Sequence, residues 1–264
     1  MAFLKSLLKL IVPTRLLTSY RRHRLARAER RARGMTAKEV FTDIYLNNRW
    51  GGEPGTFSSG GGSAIGAIVA PYVTCIRKHL TELGADRLSV VDLGCGDFAV
   101  GRQLADECGR YIGVDVVEDL IRHNDSTYGT DRISFQCLDI IEDPLPPGDI
   151  CFLRQVLQHL SNDQIRRILP KLDRYRWTFV TEHQPSASQL DRPNLDKPHD
   201  GNIRIHQRSG VYLDQPPFHV PRERLEFLLE VPGRAPTPDE QDPGVIRTYL
   251  LHSSRTSPTR RDAP

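Results

Sequence analysis

The sequence predicts a doubly wound α/β fold, in which a mostly parallel sheet carries helices on both faces and ends in a pair of antiparallel strands. Two observations support this fold class. Between 87 and 183, short apolar segments alternate with segments of helical periodicity, which is typical of right-handed βαβ units. Further along the chain, 224–229 and 245–251 have the apolar pattern of strands, and we expect this last pair to be antiparallel.

The individual elements follow from the same periodicities. Helices are predicted at 36–45 and 64–83, and Gly84 is placed to end the second of them. A further helix near 161–172 opens with a capping box formed by Ser161 and Gln164, whose side chains satisfy N–H groups of the first turn. The remaining strands are predicted at 88–93, 110–115, 133–137, 149–153 and 177–181, and the remaining helices near 98–108 and 117–124.

The composition divides the 264 residues into four regions. Residues 1–34 form a basic amphipathic arm. Residues 35–84 form a helical cap, whose glycine–serine segment is either a flexible linker or a loop that folds over a ligand. A ligand-binding domain covers 85–252 and includes an irregular insert at 184–222. Residues 253–264 are polar, and we expect them to be disordered.

The arm concentrates positive charge. It contains ten Lys or Arg residues and one Glu, a net charge of +9, whereas the whole chain carries +3. Apolar residues recur at helical spacing from Phe3 to Ile11, but Lys5 and Lys9 interrupt them, so the run is too short and too polar to span a bilayer. These features predict a helix on an anionic membrane surface. The alternatives are a nucleic-acid-binding arm, a docking helix, a solvated tail and a later start at Met35.

The five cysteines are scattered along the chain without a C-x-x-C pair, which is typical of reduced thiols in a cytosolic protein. We therefore expect a cytoplasmic protein, held peripherally at the inner face of the cell membrane if the arm binds lipid. Nothing in the sequence predicts its oligomeric state.

Residues 90–97 form the most informative segment. An apolar strand ends at Asp92 and is followed by Gly94, Gly96 and Asp97. A glycine turn between a strand and a helix lets a ligand approach the backbone, because no Cβ blocks it. The two acids would repel the pyrophosphate of a dinucleotide, which prefers bare N–H groups. They favour a ligand whose end here is cationic, such as the amino group of S-adenosylmethionine (SAM).

The glycine pattern by itself leaves NAD as an alternative, since residues 94–99 also satisfy the loose G-x-G-x-x-G/A fingerprint. Asp115 ends the next predicted strand, 19 residues after Gly96, where an acid would bind ribose hydroxyls. Because NAD and SAM both contain a ribose, Asp115 supports the fold without separating the two ligands. The acids beside the glycines decide in favour of SAM.

The segment 91–96, Val-Asp-Leu-Gly-Cys-Gly, resembles the glycine-rich first motif of the class I SAM-dependent methyltransferases. This resemblance covers 88–183 and implies a Rossmann-like fold with SAM as cofactor. It also implies that Asp115 binds the ribose. Within the segment 138–140, it implies that Asp139 meets the adenine amino group.

A narrower resemblance links the chain to a bacterial group of these enzymes without a defined substrate. It rests on N-x-W-G at 48–51, S-G-x-G-S at 59–63, RQVLQHLSN at 154–162 and PPF at 216–218. It implies SAM binding and leaves the methyl acceptor open. The expected cofactor-binding residues are Trp50, Ser59, Gly60, Asp92, Gly94, Cys95, Gly96, Asp97, Asp115, Val116, Asp139, Ile140, Arg154 and Gln155.

Two histidines lie where a ligand would bind, beyond the carboxyl ends of the predicted strands. His159 follows the fourth strand, and His183 follows the fifth, next to Glu182. An alcohol acceptor must lose its proton to a placed base, and histidine titrates near neutrality. We expect His159 to be this base and His183 to be the second candidate. The alternative is that either histidine is a hydrogen-bonded structural residue.

No metal is expected, because the histidine and aspartate side chains between 183 and 206 follow no recognised ligand spacing. We expect the insert residues Asp200, Asn202 and Arg204 to shape an acceptor pocket instead.

These expectations combine into a SAM-dependent methyltransferase that O-methylates a small molecule, a sugar or a glycan precursor. Methylation of base nitrogens is disfavoured, because 153–156 reads Leu-Arg-Gln-Val where such enzymes often carry Asp or Asn, two prolines and an aromatic residue. One alternative is a non-catalytic SAM-binding protein that interacts with partners at a membrane. The other is an RNA methyltransferase that uses the basic arm, although the acidic body makes nucleic acid an unexpected partner.

Overall fold

The computed structural model describes residues 30, 32, 34–53, 55–233 and 243–255. Most of the basic arm therefore lies outside the described residues, and its membrane helix remains a prediction from sequence. The same holds for most of the polar tail. Within the described part of the chain, no helix is long and apolar enough to cross a membrane.

Seven strands form a single mixed sheet in the described part of the chain. They are β1 Ser89–Leu93, β2 Arg110–Asp115, β3 Ile133–Cys137, β4 Ile150–Arg154, β5 Trp177–Gln184, β6 Leu225–Pro232 and β7 Val245–His252. Their spatial order is β3-β2-β1-β4-β5-β7-β6. The first five strands are parallel, whereas β7 pairs antiparallel with both β5 and β6. The predicted fold class is therefore confirmed, including the terminal antiparallel pair.

The helices pack around this sheet. They are α1 Ala37–Leu46, α2 Gly61–Ala64, α3 Gly66–Leu83, α4 Glu118–Tyr128 and α5 Asn162–Leu172. The predicted capping box of α5 is present, because the Ser161 side chain accepts from the Gln164 backbone N–H and the Gln164 side chain accepts from Ser161. Gly84 ends α3 in the left-handed conformation, as predicted, which only glycine adopts at little cost.

One predicted helix is wrong. The segment 98–108 forms two 3₁₀ turns, Gly101–Gln103 and Ala105–Glu107. Phe98 has a φ of 59°, and a right-handed helix cannot begin on a left-handed residue. The segment also lies directly on β2, because a Cβ at Gly101 would come within 2.5 Å of the Tyr111 hydroxyl. Tertiary packing therefore overrides the helical periodicity of this segment.

The sheet is buried on both faces, which fixes where a ligand can bind. In β1, Val91 and Leu93 pack into one core cluster with Ile165 of α5, whereas Val90 packs into a second cluster with Ile76 of α3. Alternate residues of a strand point to opposite faces, so both faces are covered. Since β1 lies between β2 and β4, the strand order reverses beside β1. Open α/β sheets bind their ligands at the carboxyl ends of the strands at such a reversal.

Candidate active site

A cavity of about 410 Å³ lies at the carboxyl ends of β1 to β5, within the size range of small-molecule sites. Its walls come from the loops after these strands, from α1, from the glycine–serine segment 59–63, from the insert and from the start of β7. Every residue that the sequence analysis assigned to the cofactor or to proton transfer lines this cavity. The structure thus brings the whole predicted set together, and the individual roles remain predictions.

The glycine turn after β1 is held against the end of β2. The N–H groups of Gly94 and Cys95 donate to the Val114 carbonyl at 2.8 and 2.9 Å. Gly94 has a φ of 76° and Gly96 a φ of 56°, which glycine adopts without the penalty that a Cβ imposes. A Cβ at Gly94 would come within 2.4 Å of the Val156 side chain. The turn therefore has no room for a side chain at Gly94, and both glycines line the cavity.

Two buried carboxylates lie beside this turn. Asp92 accepts a hydrogen bond from the Tyr111 hydroxyl at 2.6 Å, and burial raises its pKa to about 6. Asp115 accepts from the N–H groups of Gly96 at 3.1 Å and Val117 at 3.2 Å. Burial also raises the pKa of Asp115 to about 6, against the lowering effect of these N–H groups. A carboxylate has about four acceptor positions, so both acids retain capacity for a ligand.

Asp97 fastens the glycine–serine segment over the turn. Its carboxylate accepts from the Ser59 N–H at 2.9 Å, and its own N–H donates to the Ser59 hydroxyl at 2.8 Å. The Tyr45 hydroxyl lies 3.0 Å from the same Ser59 oxygen, and Gly60 packs on the side chain of Trp50. The segment is therefore a loop folded over the ligand site, the second of the two alternatives left by the sequence.

Arg154 forms the wall opposite Asp97. Its guanidinium donates to the Gly62 carbonyl at 2.7 Å and lies 4.9 Å from the centroid of the Tyr72 ring. Its Nε atom is buried without a hydrogen-bond partner among the described residues. Gln155 packs its side chain against Gly62, where a Cβ would come within 2.0 Å of the Gln155 amide oxygen. Arg154 at the end of β4 and Gln155 directly after it thus hold the far end of the loop.

Cys95 in the glycine turn and Asp139 after β3 have modest roles. Burial and the charges of Asp115 and Asp92 raise the pKa of the Cys95 thiol well above its usual value. Cys95 is therefore a protonated small residue rather than a nucleophile. After β3, the Asp139 carboxylate accepts from the Ile141 N–H at 2.8 Å, which orients it beside the buried Ile140. Val116 lines the same part of the cavity.

The cap contributes an aromatic cluster that the sequence analysis missed in part. The Trp50 ring lies 5.3 Å from that of Tyr45 and 5.2 Å from that of His159. Its indole N–H donates to the Gly201 carbonyl of the insert at 3.0 Å. Phe41 and Tyr45 line the cavity from consecutive turns of α1. Their i, i+4 spacing in the sequence indicates that both rings lie on the same face of the helix.

His159 is buried against the insert. Burial, and after it the ammonium of Lys197, lower its pKa to about 4. Lys197 forms a buried ion pair with Asp200 at 2.7 Å and donates to the His159 carbonyl at 3.3 Å. The ring Nε2 lies 3.3 Å from the side-chain nitrogen of Gln158. His159 is therefore uncharged at neutral pH.

His183 lies on the adjacent wall, at the end of β5. Its Nε2 lies 2.7 Å from the Pro243 carbonyl oxygen, and its backbone N–H donates to the Gln158 side-chain oxygen at 3.2 Å. Two glycines make room for the ring, because a Cβ at Gly233 would come within 2.1 Å of Nε2 and one at Gly244 within 3.1 Å.

Glu182 lies behind the histidines rather than in the cavity. Its two oxygens accept from the backbone N–H groups of Leu157 at 2.9 Å and Gln158 at 3.0 Å. Burial raises its pKa to about 8, although these N–H groups act in the opposite direction. Glu182 therefore anchors the 3₁₀ turn that carries Gln158 and His159.

The insert residues divide into lining and supporting positions. Asn202 lines the cavity and donates to the Asp200 carboxylate at 3.0 Å. Arg204 is fully buried and donates to the Leu160 carbonyl at 2.6 Å. Asp200 and Arg204 thus support the pocket from behind. Among the residues that the structure describes, no group of three His, Cys, Asp or Glu side chains could hold a metal ion.

The fold and the cavity together define the class of protein. A doubly wound sheet with an antiparallel seventh strand, a glycine turn that lines the cavity, and carboxylates at or just beyond the carboxyl ends of the first three strands fit SAM, whose methionine end carries an amino group. Residues 90–175 match the family model of a methyltransferase domain. The chain carries a class I, SAM-dependent methyltransferase domain.

Solved structures with this fold are similar to the chain at low sequence identity. A SAM-dependent methyltransferase from Anabaena variabilis has a TM-score of 0.53 and 16% identity, over 83% of this chain and 96% of that one. The N-methyltransferase NodS from Bradyrhizobium japonicum, bound to S-adenosylhomocysteine, has a TM-score of 0.45 and 16% identity, over 69% and 88%. No curated protein matches the sequence. At these identities the Anabaena structure supports the fold alone.

Gly94→Ala should weaken SAM binding at least about tenfold. The left-handed conformation costs an L-residue roughly 1–2 kcal/mol, about 1.4 kcal/mol corresponds to tenfold in affinity, and the new Cβ would also collide with Val156. Calorimetric titration with SAM measures the effect. Gly66→Ala in α3 is the matched control, because its Cβ meets nothing within 4 Å. Equal affinity for both variants would show that SAM binding does not depend on the conformation of the glycine turn.

Glu182→Gln should flatten the loss of stability between pH 4.5 and about pH 8. Because the folded-state pKa is about 8 and the usual value is 4.5, the folded chain binds more protons between these values. Stability from this group therefore falls as pH rises through that range, by a few kcal/mol in total. Denaturant unfolding of both proteins at pH 5 and pH 9 measures the difference. Equal losses in the two proteins would show that Glu182 does not carry a raised pKa.

Proposed function

We propose that the domain transfers a methyl group from SAM to a hydroxyl oxygen of an uncharged small molecule, sugar or glycan precursor. The observation that carries this proposal is the distribution of charge around the cavity. Among the residues that the structure describes, charged side chains lie at the ends of β1 to β4, whereas β5, the insert and the start of β7 contribute neither carboxylate, ammonium nor guanidinium to the lining.

The uncharged wall suits an acceptor rich in hydroxyl groups. Its polar members are the imidazoles of His183 and His206 and the amide of Asn202, beside Gln158 and His159. Amide and imidazole groups both donate and accept hydrogen bonds, which matches a hydroxyl. A charged acceptor would need a counter-charge on this wall, because an unpaired buried ion is costly.

The charged end of the cavity would hold the cofactor. We assign the ribose hydroxyls to Asp115 and the adenine to Asp139 and Ile140. The cationic amino group would lie near Asp92, and the cofactor carboxylate near Arg154, whose buried Nε lacks a partner. When bound, SAM supplies an electrophilic methyl group on a sulfonium.

His183 is the better placed of the two candidate bases. The Pro243 carbonyl only accepts hydrogen bonds, so the contact at 2.7 Å puts a proton on Nε2 of His183, and the ring lines the cavity. His183 would take the hydroxyl proton and bound SAM would supply the methyl group, so that the positive charge lost from the cofactor would appear on the imidazole. His159, with a pKa of about 4, is a weak base near pH 7 and instead orients the acceptor.

Residues 1–34 remain our candidate for binding an anionic membrane surface, on the basis of sequence alone. Such binding would bring the domain to lipid-linked glycan precursors. The membrane fraction therefore belongs among the acceptors to be tested.

A screen with radiolabelled SAM should transfer label to the neutral small-molecule or membrane-lipid fractions of a cell extract. Nuclear magnetic resonance of the purified product should identify a methyl ether. Label in an amine or in RNA would contradict the proposed acceptor, whereas SAM binding without any labelled product would favour a non-catalytic binding protein. Heat-denatured protein serves as the control for non-enzymatic methylation.

His183→Ala should lower kcat about 100- to 10,000-fold, the usual contribution of a placed base, with the affinity for SAM unchanged. His159→Ala should affect KM for the acceptor more than kcat. Steady-state kinetics at saturating SAM separate the two effects for the acceptor found in the screen. A larger loss of kcat in His159→Ala than in His183→Ala would reverse the assignment of the base.

A further inference from the structure

We propose that the segment 59–63 is a gate through which the cofactor enters and leaves, and that Ser59 holds this gate closed on the glycine turn. The proposal concerns the exchange of SAM and goes beyond the proposed acceptor. It can therefore be tested without an acceptor and without turnover. It gives Ser59, Gly96 and Asp97 a role in the gate, where the sequence predicted contacts with the cofactor.

Ser59 joins the gate to the glycine turn through both its side chain and its backbone. Its hydroxyl accepts from the Asp97 N–H at 2.8 Å and lies 3.0 Å from the Tyr45 hydroxyl. Its N–H donates to one oxygen of the Asp97 carboxylate at 2.9 Å, and the other oxygen accepts from the Ala99 N–H at 3.2 Å. The carboxylate thus connects the gate to the backbone of the turn.

The second glycine of the turn makes this close contact possible. A Cβ at Gly96 would come within 2.2 Å of the Ser59 hydroxyl oxygen and 3.1 Å of the Tyr45 hydroxyl. A Cβ at Gly94 would instead meet the Val156 side chain. The two glycines therefore make room for different parts of the chain, and Gly96 makes room for the gate.

The closed gate lies over the acids that we assign to the cofactor. Asp92 and Asp115 both line the cavity, yet each is only 8% exposed. The gate spans the cavity from the turn after β1 to the end of β4, where Arg154 donates to the Gly62 carbonyl at 2.7 Å. The cofactor reaches these acids when the gate opens and is enclosed when it closes.

The gate is held by few interactions and is flanked by residues that can act as hinges. Residues 59–63 are half-buried or exposed, so opening breaks the hydrogen bonds at the ends of the gate without disturbing a core. Gly60 has a φ of 84°, and Ile65 is extended between α2 and α3. Hinges are residues of this kind, at the ends of elements, which absorb changes in the backbone dihedral angles.

Stopped-flow binding of S-adenosylhomocysteine tests the gate, because this ligand resembles SAM but carries no methyl group to transfer. The fluorescence of Trp50 reports on the cap, since a Cβ at Gly60 would lie 3.5 Å from the Trp50 side chain. The chain contains two tryptophans. Trp177 lies at the start of β5, at the opposite end of the strand from the cavity, and Trp177→Phe removes it from the signal.

Ser59→Ala should raise both the association and the dissociation rate constants of S-adenosylhomocysteine about tenfold, the value of one lost hydrogen bond in the ratio of open to closed gate. A gate that opens more often lets the ligand in and out faster by the same factor, so Kd should stay nearly unchanged. A rise in the dissociation rate constant alone would show that Ser59 contacts the ligand instead. That result, or unchanged rate constants, would overturn the proposal.

Ser58→Ala is the matched control, because it makes the same substitution at the neighbouring residue. The Ser58 hydroxyl accepts from the Gly60 N–H at 3.3 Å, a bond that does not involve the glycine turn. Both rate constants should remain close to those of the wild-type chain. Equal acceleration in Ser58→Ala and Ser59→Ala would show a general loosening of the segment and contradict the role of Ser59.

Amide hydrogen exchange of the wild-type chain tests the opening directly, so a variant that fails to fold leaves the test intact. The N–H groups of Ser59 and Asp97 should exchange faster than those of Gly94 and Cys95, which are bonded to the Val114 carbonyl. Saturating S-adenosylhomocysteine should slow the exchange of Ser59 at least about tenfold, because the bound ligand favours the closed gate. Exchange of Ser59 that is unaffected by the ligand would overturn the proposal.

Discussion

The close contact between the glycine turn and the end of β2 is the constraint on which the site depends. Two consecutive N–H groups, of Gly94 and Cys95, share the Val114 carbonyl, and the next N–H is accepted by Asp115. The Asn124 side chain then donates to the Gly96 carbonyl at 2.8 Å. The turn is therefore fixed to both β2 and α4. This arrangement brings the acids of β1 and β2 to the same edge of the cavity. Neither strand alone would define which ligand binds there.

The same contact makes the cap part of the active site. Because the turn is fixed, Asp97 reaches across to Ser59 and holds the glycine–serine loop over the cavity. The cap continues through Trp50, which touches both His159 and the insert. The family match begins at residue 90, yet the wall of the cavity begins at Ala37. The cavity is therefore built partly from segments of the chain that lie outside the matched residues.

Most of the strands could be predicted from the sequence, but fewer features of the candidate site could be. Strands such as 110–115 were predicted at their observed bounds, because a parallel strand buried on both faces has a strong local signal. The helix at 98–108 was wrong, since the contact between Gly101 and β2 depends on residues distant in sequence. The assignment of His159 as the first candidate base assumed an ordinary pKa. Its burial against Lys197 depends on how the insert folds, and no local pattern encodes that.

Electrostatics explains why this pocket suits a cation better than a phosphate. Burial raises the pKa of both Asp92 and Asp115 to about 6, so each ionised carboxylate at neutral pH sits in surroundings that disfavour its charge. A positive ligand lowers that cost by pairing with the carboxylates, whereas a pyrophosphate would increase it. The unfavourable ionisation of these buried carboxylates therefore favours the positive charge of SAM. The glycine pattern alone does not distinguish NAD from SAM. The buried acids beside the glycines make the site specific for SAM.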